Sequence, residues 1–373
     1  MGTNTKIAWC HHSFNPWWGC TKVSDGCKHC YAETMADRYV KKDAPADDPA
    51  RRLWRGERRR TVGPWKDVVS WNNAAKKDGI RRRVFMASMA DFFEDHRAVN
   101  NWREDAWSLI FKCQHLDWLI LTKRPENIFK MLPDDWGLSV DKFQHVWHGT
   151  SIEDQRTADL RIPHLMNVKH LFRWESERHK DPRPLTLARP KVWFVSYEPA
   201  LGPVNLSQYL EKGMVDWVIS GGESGAEIRP DKTEWHEQVA RQCQKSGAAY
   251  FYKQSAALRP GFIHPDLRHL PREFPSNQPR PTKMQLQLLK KVEEGLVQFN
   301  APALGRWAWR APPGSETHIP GYEKALDEEA FRILLANKWI QLAEDFVERG
   351  FFFSSMKAEL TEAGKHLIGG LNG

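Results

Sequence analysis

Trp118-Leu119-Ile120-Leu121-Thr122-Lys123-Arg124 is an apolar run that ends abruptly in a hydroxyl and two cations. A short run without polar alternation suits a strand buried on both faces, the habit of a parallel sheet covered by helices. Upstream, Val84-Phe85-Met86-Ala87-Ser88 has the same form and is followed by Asp91. Downstream come Val146-Trp147-His148-Gly149-Thr150, Val192-Trp193-Phe194-Val195-Ser196, Trp217-Val218-Ile219-Ser220 and Ala249-Tyr250-Phe251-Tyr252. The segments between them carry helical spacing, as in Trp102, Ala106, Leu109, Ile110 and Cys113. Another opens at Thr233, a candidate cap, and stops near Gly247. Strand, crossover helix and strand, repeated, is an α/β pattern. With a short first strand around Ile7-Ala8-Trp9, the expected architecture is a partial or closed (β/α) barrel. An open doubly wound sheet has the same local signature.

The 373 residues suit one large domain with one or two small ones, at about 150 residues per domain. A hydrophobic fraction of 41% against 27% charged residues is enough for a core, which excludes wholesale disorder. No stretch approaches the roughly 18 apolar residues of a membrane span, and Met1 to Trp9 lacks a signal peptide's apolar run. A soluble, cytoplasmic protein without a membrane partner is expected. The division expected is 1–256 as the barrel-like domain, 257–281 as a Pro/Arg-rich linker and 282–373 as a small C-terminal domain. Within the last, Met284 to Val297 and Leu326 to Ala336 look helical and Arg306-Trp307-Ala308-Trp309 strand-like.

Four of the six cysteines fall in the first 30 residues, and three form Cys20-x6-Cys27-x2-Cys30. A secreted disulfide scaffold would be short, with cysteines spread along it, so the clustering points to a metal site. Three thiolates on a loop after a strand can hold three irons of a 4Fe–4S cluster, leaving the fourth iron open for an exogenous ligand. A structural zinc site uses the same C-x2-C step, with Cys10, His11, His12 or His29 as fourth ligand. Unligated buried thiols are the third reading. Cys113 and Cys243 sit on apolar helix faces and read as core.

In barrels and related sheets, ligands sit at the carboxyl ends of the strands. The polar groups there are Ser88 and Asp91, Lys123 with Arg124, Thr150 to Glu153, Glu198, Gly221-Gly222-Glu223, and Lys253 with Gln254. Lys123 and Glu198 are the catalytic candidates. Cys10, taken to lie near the end of the first strand, is a candidate hydrogen-atom donor, with zinc ligation or plain packing as competing readings.

The stretch Phe14-Asn15-Pro16-Trp17-Trp18-Gly19-Cys20 through Cys30-Tyr31-Ala32-Glu33 resembles an uncharacterised phage and prophage family known for a three-cysteine motif. The resemblance continues through Ser88-Met89-Ala90-Asp91, Leu121-Thr122-Lys123-Arg124-Pro125, Glu198-Pro199-Ala200-Leu201-Gly202-Pro203, Gly221-Gly222-Glu223-Ser224-Gly225 and Tyr252-Lys253-Gln254. That family is similar to radical S-adenosylmethionine enzymes, whose usual spacing is C-x3-C-x2-C. The resemblance implies a barrel of that type, a 4Fe–4S cluster on Cys20, Cys27 and Cys30, and S-adenosylmethionine as cofactor. It further implies a 5′-deoxyadenosyl radical, a reductant such as flavodoxin or ferredoxin, and a three-cysteine-motif partner protein. Ser88, Asp91, Gly221, Gly222 and Glu223 are the candidate cofactor contacts.

Arg51, Arg52, Arg55, Arg58, Arg59 and Arg60 surround Trp54, and Arg81-Arg82-Arg83 follows. Arginine with interleaved indole can track phosphates and stack on bases, and an isoelectric point near 9.1 agrees. DNA or RNA is therefore the expected partner; a solvated loop paired to Asp47, Asp48 and Glu57 is the bland reading. Phe351-Phe352-Phe353 followed by Leu360 to Lys365 resembles the wing and closing helix of a winged-helix unit, which binds DNA or protein. Two function classes stay open: a radical enzyme modifying or repairing nucleic acid, and a non-catalytic, zinc-stabilised nucleic-acid-binding or adaptor protein. A protein or peptide substrate is a variant of the first.

Overall fold

Alternation along each buried strand sends neighbouring side chains to two different apolar clusters, and this separates the inside of the sheet from the outside. The computed structural model describes residues 5–38, 52–133, 143–178 and 192–275, together with five strand segments between 297 and 360. The chain divides into two units, residues 1–180 with 187–277, and residues 181–186 with 278–373.

In the first unit, strands β1 (His12–Phe14), β4 (Arg82–Met86), β5 (Leu116–Thr122), β6 (Val146–Ile152), β7 (Trp193–Tyr197), β8 (Trp217–Gly221) and β9 (Ala249–Gln254) form one sheet in that order. Every neighbouring pair is parallel. Strands β2 (Trp17–Trp18) and β3 (Arg59–Arg60) form a separate antiparallel ribbon. The helices are α1 (Tyr31–Arg38), α2 (Pro64–Asp78), α3 (Asn100–Lys112), α4 (Gln155–Arg178), α5 (Ser207–Leu210) and α6 (Thr233–Ser246). Strands added in chain order by right-handed crossovers put α2, α3, α4, α5 and α6 on one face, so the sheet curls into a half-barrel, while α1 packs apart with Leu53 and Met89. Val84, Met86, Trp118, Ile120, Trp193, Val195, Val218, Tyr250 and Tyr252 face the helices in the larger cluster. Phe85, Leu119, Trp147, Phe194, Trp217, Ile219 and Phe251 fill the interior, with Trp9 and Cys10.

The strand runs read from the sequence are therefore strands, and the barrel is partial: β1 and β9 are its two edges. The β9 edge is covered, since Tyr252 N donates to Pro271 O and Glu273 N to Tyr250 O. The first strand is displaced from its expected place. Ile7 to Trp9 forms a turn closed by Cys10 N to Ile7 O at 3.3 Å, and pairing begins at His12. Trp9 turns inward to the interior cluster, while His12 stacks on Trp71 at 4.4 Å on the helix side. Thr233 is the first helical residue of α6 rather than its cap, which is Lys232; Gly247 ends the helix at φ +73° as expected.

In the second unit, β10 (Val297–Asn300), β11 (Arg306–Trp309), β12 (Lys324–Ala325), β13 (Ile340–Ala343) and β14 (Ser355–Leu360) form an antiparallel sheet in the order β12-β11-β10-β14-β13. The strand expected at Arg306–Trp309 is present, and Val297 is strand rather than the end of a helix. The other helical and wing segments expected there lie outside the described residues.

Gly149 faces the interior, where a Cβ would lie 2.5 Å from the Phe194 ring. Gly149→Ala is expected to lose about 1–3 kcal/mol by overpacking, read as a lower urea midpoint. The double variant with Phe194→Leu should recover part of that loss; no recovery would place the strain elsewhere.

Candidate functional site

The cysteine loop begins where β2 ends. Gly19 has φ +108°, and a Cβ there would lie 2.6 Å from Leu53 O and 2.8 Å from Glu57 O. Gly19 N donates to Met89 O and Cys20 N to Leu53 O, so the loop starts against both the segment after β4 and the arginine-rich loop. A single 3₁₀ turn over Asp25–Cys27 follows, and Cys30 immediately precedes α1. The Cys30 sulfur accepts the amide N–H groups of Ala32 and Glu33 in the first turn. Burial nevertheless pushes the Cys30 thiol up. Burial, then Asp91 and Glu94, push the Cys20 thiol up to about 12 against the pull of Arg124.

The loop lies over the carboxyl ends of the strands. Thr21 N donates to Glu94 Oε1 at 2.8 Å. Ser24 Oγ donates to Glu153 Oε1 at 2.9 Å, and lies 3.8 Å from Cys27 Sγ. His29 Nδ1 stands 3.3 Å from Glu223 Oε2, and the Tyr31 hydroxyl donates to Ser88 O at 2.6 Å. Each of these carboxylates is gripped by cations. Arg58 binds Glu94 through two bonds of 2.7 Å, with side chains 0% and 4% exposed. Lys123 and Arg161 pair with Glu153, the latter at 2.9 Å. Arg229 binds both oxygens of Glu223, at 3.0 and 2.6 Å. Burial raises these three carboxyl groups, but Arg58, Lys123 with Arg161, and Arg229 outweigh it and hold all three below the usual carboxylate range.

The strand-end residues read from the sequence fall into two sets. Asp91 accepts from Thr122 Oγ1, Lys123 N, Arg124 Nη1 and Phe93 N, which fills the acceptor positions of a carboxylate and gives it the task of holding the 122–124 turn. Arg124 then reaches Cys20 Sγ at 3.8 Å and Thr21 O at 2.7 Å. Ser88 Oγ is shared with Asn15. Gly222 is backed against its own chain: a Cβ would strike Ala256 N and lie 2.5 Å from Asp231 Oδ2. That Asp231 closes a buried row in which His236 Nε2 is 2.8 Å away and His236 Nδ1 is 2.6 Å from Ser220 Oγ. Ser220 and His236 are fully buried, so this row braces the turn after β8 rather than meeting a ligand.

The other set faces the interior of the half-barrel. Glu198 pairs with Lys253 at 2.7 Å and accepts from Ser196 at 3.0 Å. A Cβ on Gly221 would lie 2.8 Å from Glu198 Oε1, so glycine there makes room for the carboxylate. Tyr31 is 47% exposed, and its hydroxyl is anchored on Ser88 O at the end of β4. Cys10 precedes β1 instead of ending it, and its thiol donates to Ile7 O at 3.8 Å within the interior cluster; burial pushes it up to about 12.

The arginine loop adjoins this site but is not uniform. Arg58 is an interior residue, donating also to Leu53 O, Glu57 O and Thr21 Oγ1, and so departs from the expected nucleic-acid set. Arg52, Arg55, Arg59 and Arg60 are exposed; Arg59 lies over Trp18 and Arg60 over Trp65, each at 5.1 Å. Trp54 is half-buried against Ala32, Ala36, Leu53 and Met89. Arg51, Asp47 and Asp48 lie outside the described residues. Arg81, Arg82 and Arg83 belong to the amino end of β4, the opposite rim, with Arg81 on Asp117 and Arg83 over Phe274.

The sequence reading missed Glu94, Arg161, Arg229 and Tyr31 as parts of this site. Tyr31 follows Cys30 directly, the one signal available. Glu94 and Arg58 are far apart in the chain, and nothing local announces their pairing. The four candidate fourth ligands for zinc are otherwise placed. Cys10 is interior, His11 Nδ1 accepts from Arg83 N, His12 stacks on Trp71, and His29 faces Glu223 and Glu227. As placed, the described residues include no group of three or more His, Cys, Asp or Glu side chains gathered around a metal position. The chemistry of the donor set, three thiols on one loop, suits an iron–sulfur group and zinc alike.

Arg58→Ala leaves Glu94 buried without its main partner and is expected to cost about 3–5 kcal/mol, read as a lower urea midpoint. The depressed carboxylates stabilise the fold fully above the ordinary value of 4.5, and this contribution is lost as pH falls through their lower folded values. The urea midpoint should therefore drop chiefly below pH 4.5; a flat profile there would contradict the pairing.

No helix among the described residues is long and apolar enough to cross a membrane. No curated protein matches the chain. Among solved structures, it is similar to a cysteine-to-serine mutant of spore photoproduct lyase, with a TM-score of 0.38 and 10% identity over 68% of this chain and 79% of that one. A tyrosine-to-phenylalanine mutant of spore photoproduct lyase gives a TM-score of 0.33 and 10% identity over 68% of this chain and 59% of that one. Residues 4–264 match the model described as "Protein of unknown function (DUF5131)", and the chain belongs to that family.

Proposed function

We propose that this protein is a radical S-adenosylmethionine enzyme that holds a 4Fe–4S cluster on Cys20, Cys27 and Cys30 and modifies or repairs nucleic acid. The observation that carries the reading is the donor set at the rim. Three thiols lie on one loop over the carboxyl ends of a parallel half-barrel, and the four candidate fourth ligands are engaged elsewhere. A zinc adaptor completed by histidine or a fourth thiol would need one of those four. Cys20, Cys27 and Cys30 would hold the cluster, which, once reduced by an electron carrier such as flavodoxin or ferredoxin, would supply one-electron reduction to S-adenosylmethionine bound beside it.

The chain's own residues bind, orient and exclude water. Arg124 holds Cys20 and Thr21 against the turn fixed by Asp91. Lys253 uses one of its three donors on Glu198, and both face the interior beside Tyr31, so this wall offers a cation and a carboxylate to a polar ligand. Lys123 is committed to Glu153 and supports the loop from below. The apolar interior beneath, from Phe85 to Phe251, excludes water under the reacting atoms.

Nucleic acid as substrate rests on continuity. Cys20 N is bonded to Leu53 O, so the loop bearing Arg52, Arg55 and Arg59 is joined directly to the cysteine loop. These exposed arginines would hold phosphates next to the rim.

Oxygen-free reconstitution with iron and sulfide tests the cluster. About four irons per chain, a reduced-cluster EPR signal altered by S-adenosylmethionine, and 5′-deoxyadenosine that disappears in Cys27→Ala are expected. One tightly bound zinc with no cofactor cleavage would leave the adaptor reading. Anisotropy titration of a labelled single-stranded oligonucleotide tests the substrate class. The Arg52→Ala/Arg55→Ala/Arg59→Ala variant should lose affinity about tenfold or more and reduce the salt slope by roughly one per arginine. Equal binding by wild type and variant would remove this surface from the account.

A further inference from the structure

The three cysteines share a pattern of support that neither their spacing nor the resemblance contains. Beside Cys20, the Thr21 amide donates to Glu94, itself locked by Arg58. Before Cys27, the Ser24 hydroxyl donates to Glu153, locked by Lys123 and Arg161. Before Cys30, the His29 ring meets Glu223, locked by Arg229. Each carboxylate is 6% exposed or less, and each comes from a different strand end: after β4, after β6 and after β8. Gly26 sits directly on Glu153, where a Cβ would collide with the carboxylate, so loop and strand end are in contact without a gap.

We propose that Glu94, Glu153 and Glu223 are positioning residues that form a three-point clasp, fixing the cysteine loop on the rim before any iron is bound. The arginines set the direction of each carboxylate, and the free lone pairs then define where residues 21, 24 and 29 must stand. A buried carboxylate with a bidentate cation cannot swing, so it acts as a rigid acceptor. Outer partners of this kind orient ligands and govern how well a metal group is retained. The clasp rests on the reading of residues 20–30 as a cluster loop, but its first consequence concerns the protein without iron. It also gives Glu223 a task on the protein side of the loop, distinct from the cofactor contact expected from the Gly-Gly-Glu sequence.

Hydrogen–deuterium exchange on the iron-free chain, comparing wild type with Ser24→Ala, Glu153→Gln and Glu237→Gln, a half-buried α6 residue paired to Arg241, tests the first consequence. Ser24→Ala cuts the loop from Glu153 while leaving the Lys123–Glu153–Arg161 group whole, so it keeps the test valid if Glu153→Gln folds poorly. Amides of residues 20–30 should exchange several-fold faster in Ser24→Ala and Glu153→Gln, with α6 and β8 unchanged, and Glu237→Gln should match wild type. After reconstitution, iron loss to a chelator should be several-fold faster in the first two variants. Wild-type exchange in the Ser24→Ala loop, or unchanged iron retention despite faster exchange, overturns the clasp. Wild type that exchanges as expected but takes up no iron refutes the cluster reading and leaves the clasp as a loop anchor.

Discussion

Everything at the rim depends on one constraint: seven parallel strands paired in chain order, with every crossover returning on the same side. Because the strands are parallel, their carboxyl ends gather at a single edge. Because they are added sequentially, the sheet has no switch point and curls, which leaves an inner face lined by side chains of the second apolar cluster. Phe85, Leu119, Trp147, Phe194, Trp217, Ile219 and Phe251 fill that face, and Gly149 gives way to the Phe194 ring. The polar residues that follow the apolar runs then share one rim, Asp91 bracing the 122–124 turn and Glu198 with Lys253 facing inward, and the cysteine loop, leaving β2, needs only a short path to lie over them.

Each carboxylate at the rim has at least one cation on it. Arg58 with Glu94, Arg124 with Asp91, Arg161 and Lys123 with Glu153, Arg229 with Glu223, and Lys253 with Glu198 account for the buried carboxylates in direct reach of the loop and the inner wall. Breaking any buried pair leaves a charge in a poor dielectric, so the arrangement is worth more as a fixed geometry than as net stability. On the loop joined to Cys20, the exposed Arg52 meets Glu57 at 3.9 Å and Arg60 meets Asp105 at 2.7 Å. The rim thus sets six cations on five carboxylates and keeps its charges paired beneath the cysteine loop.

The sequence was informative where burial on both faces makes composition uniform, as in the six apolar runs. It failed at β1, because His12 and Ser13 are polar residues in a strand whose helix-side face is satisfied by stacking on Trp71. It also gave Arg58 to the basic surface, since a run of arginines does not reveal which member turns inward. Glu94 follows Phe92-Phe93 and pairs across a long loop, so periodicity carries no trace of it. Glu153 was readable as a polar strand end, but its contact with Ser24 and Gly26 exists only after the loop folds over the rim. The three cysteines needed no fold to be singled out; their placement over the carboxyl ends did.

Anomalous diffraction at the iron and zinc edges, from crystals grown without oxygen after reconstitution, tests the central claim most directly. The account predicts an iron peak bounded by the Cys20, Cys27 and Cys30 sulfurs, over the carboxyl ends of the half-barrel, with one iron lacking a protein ligand. A zinc peak completed by Cys10, His11, His12 or His29, or iron bound away from these sulfurs, would contradict it.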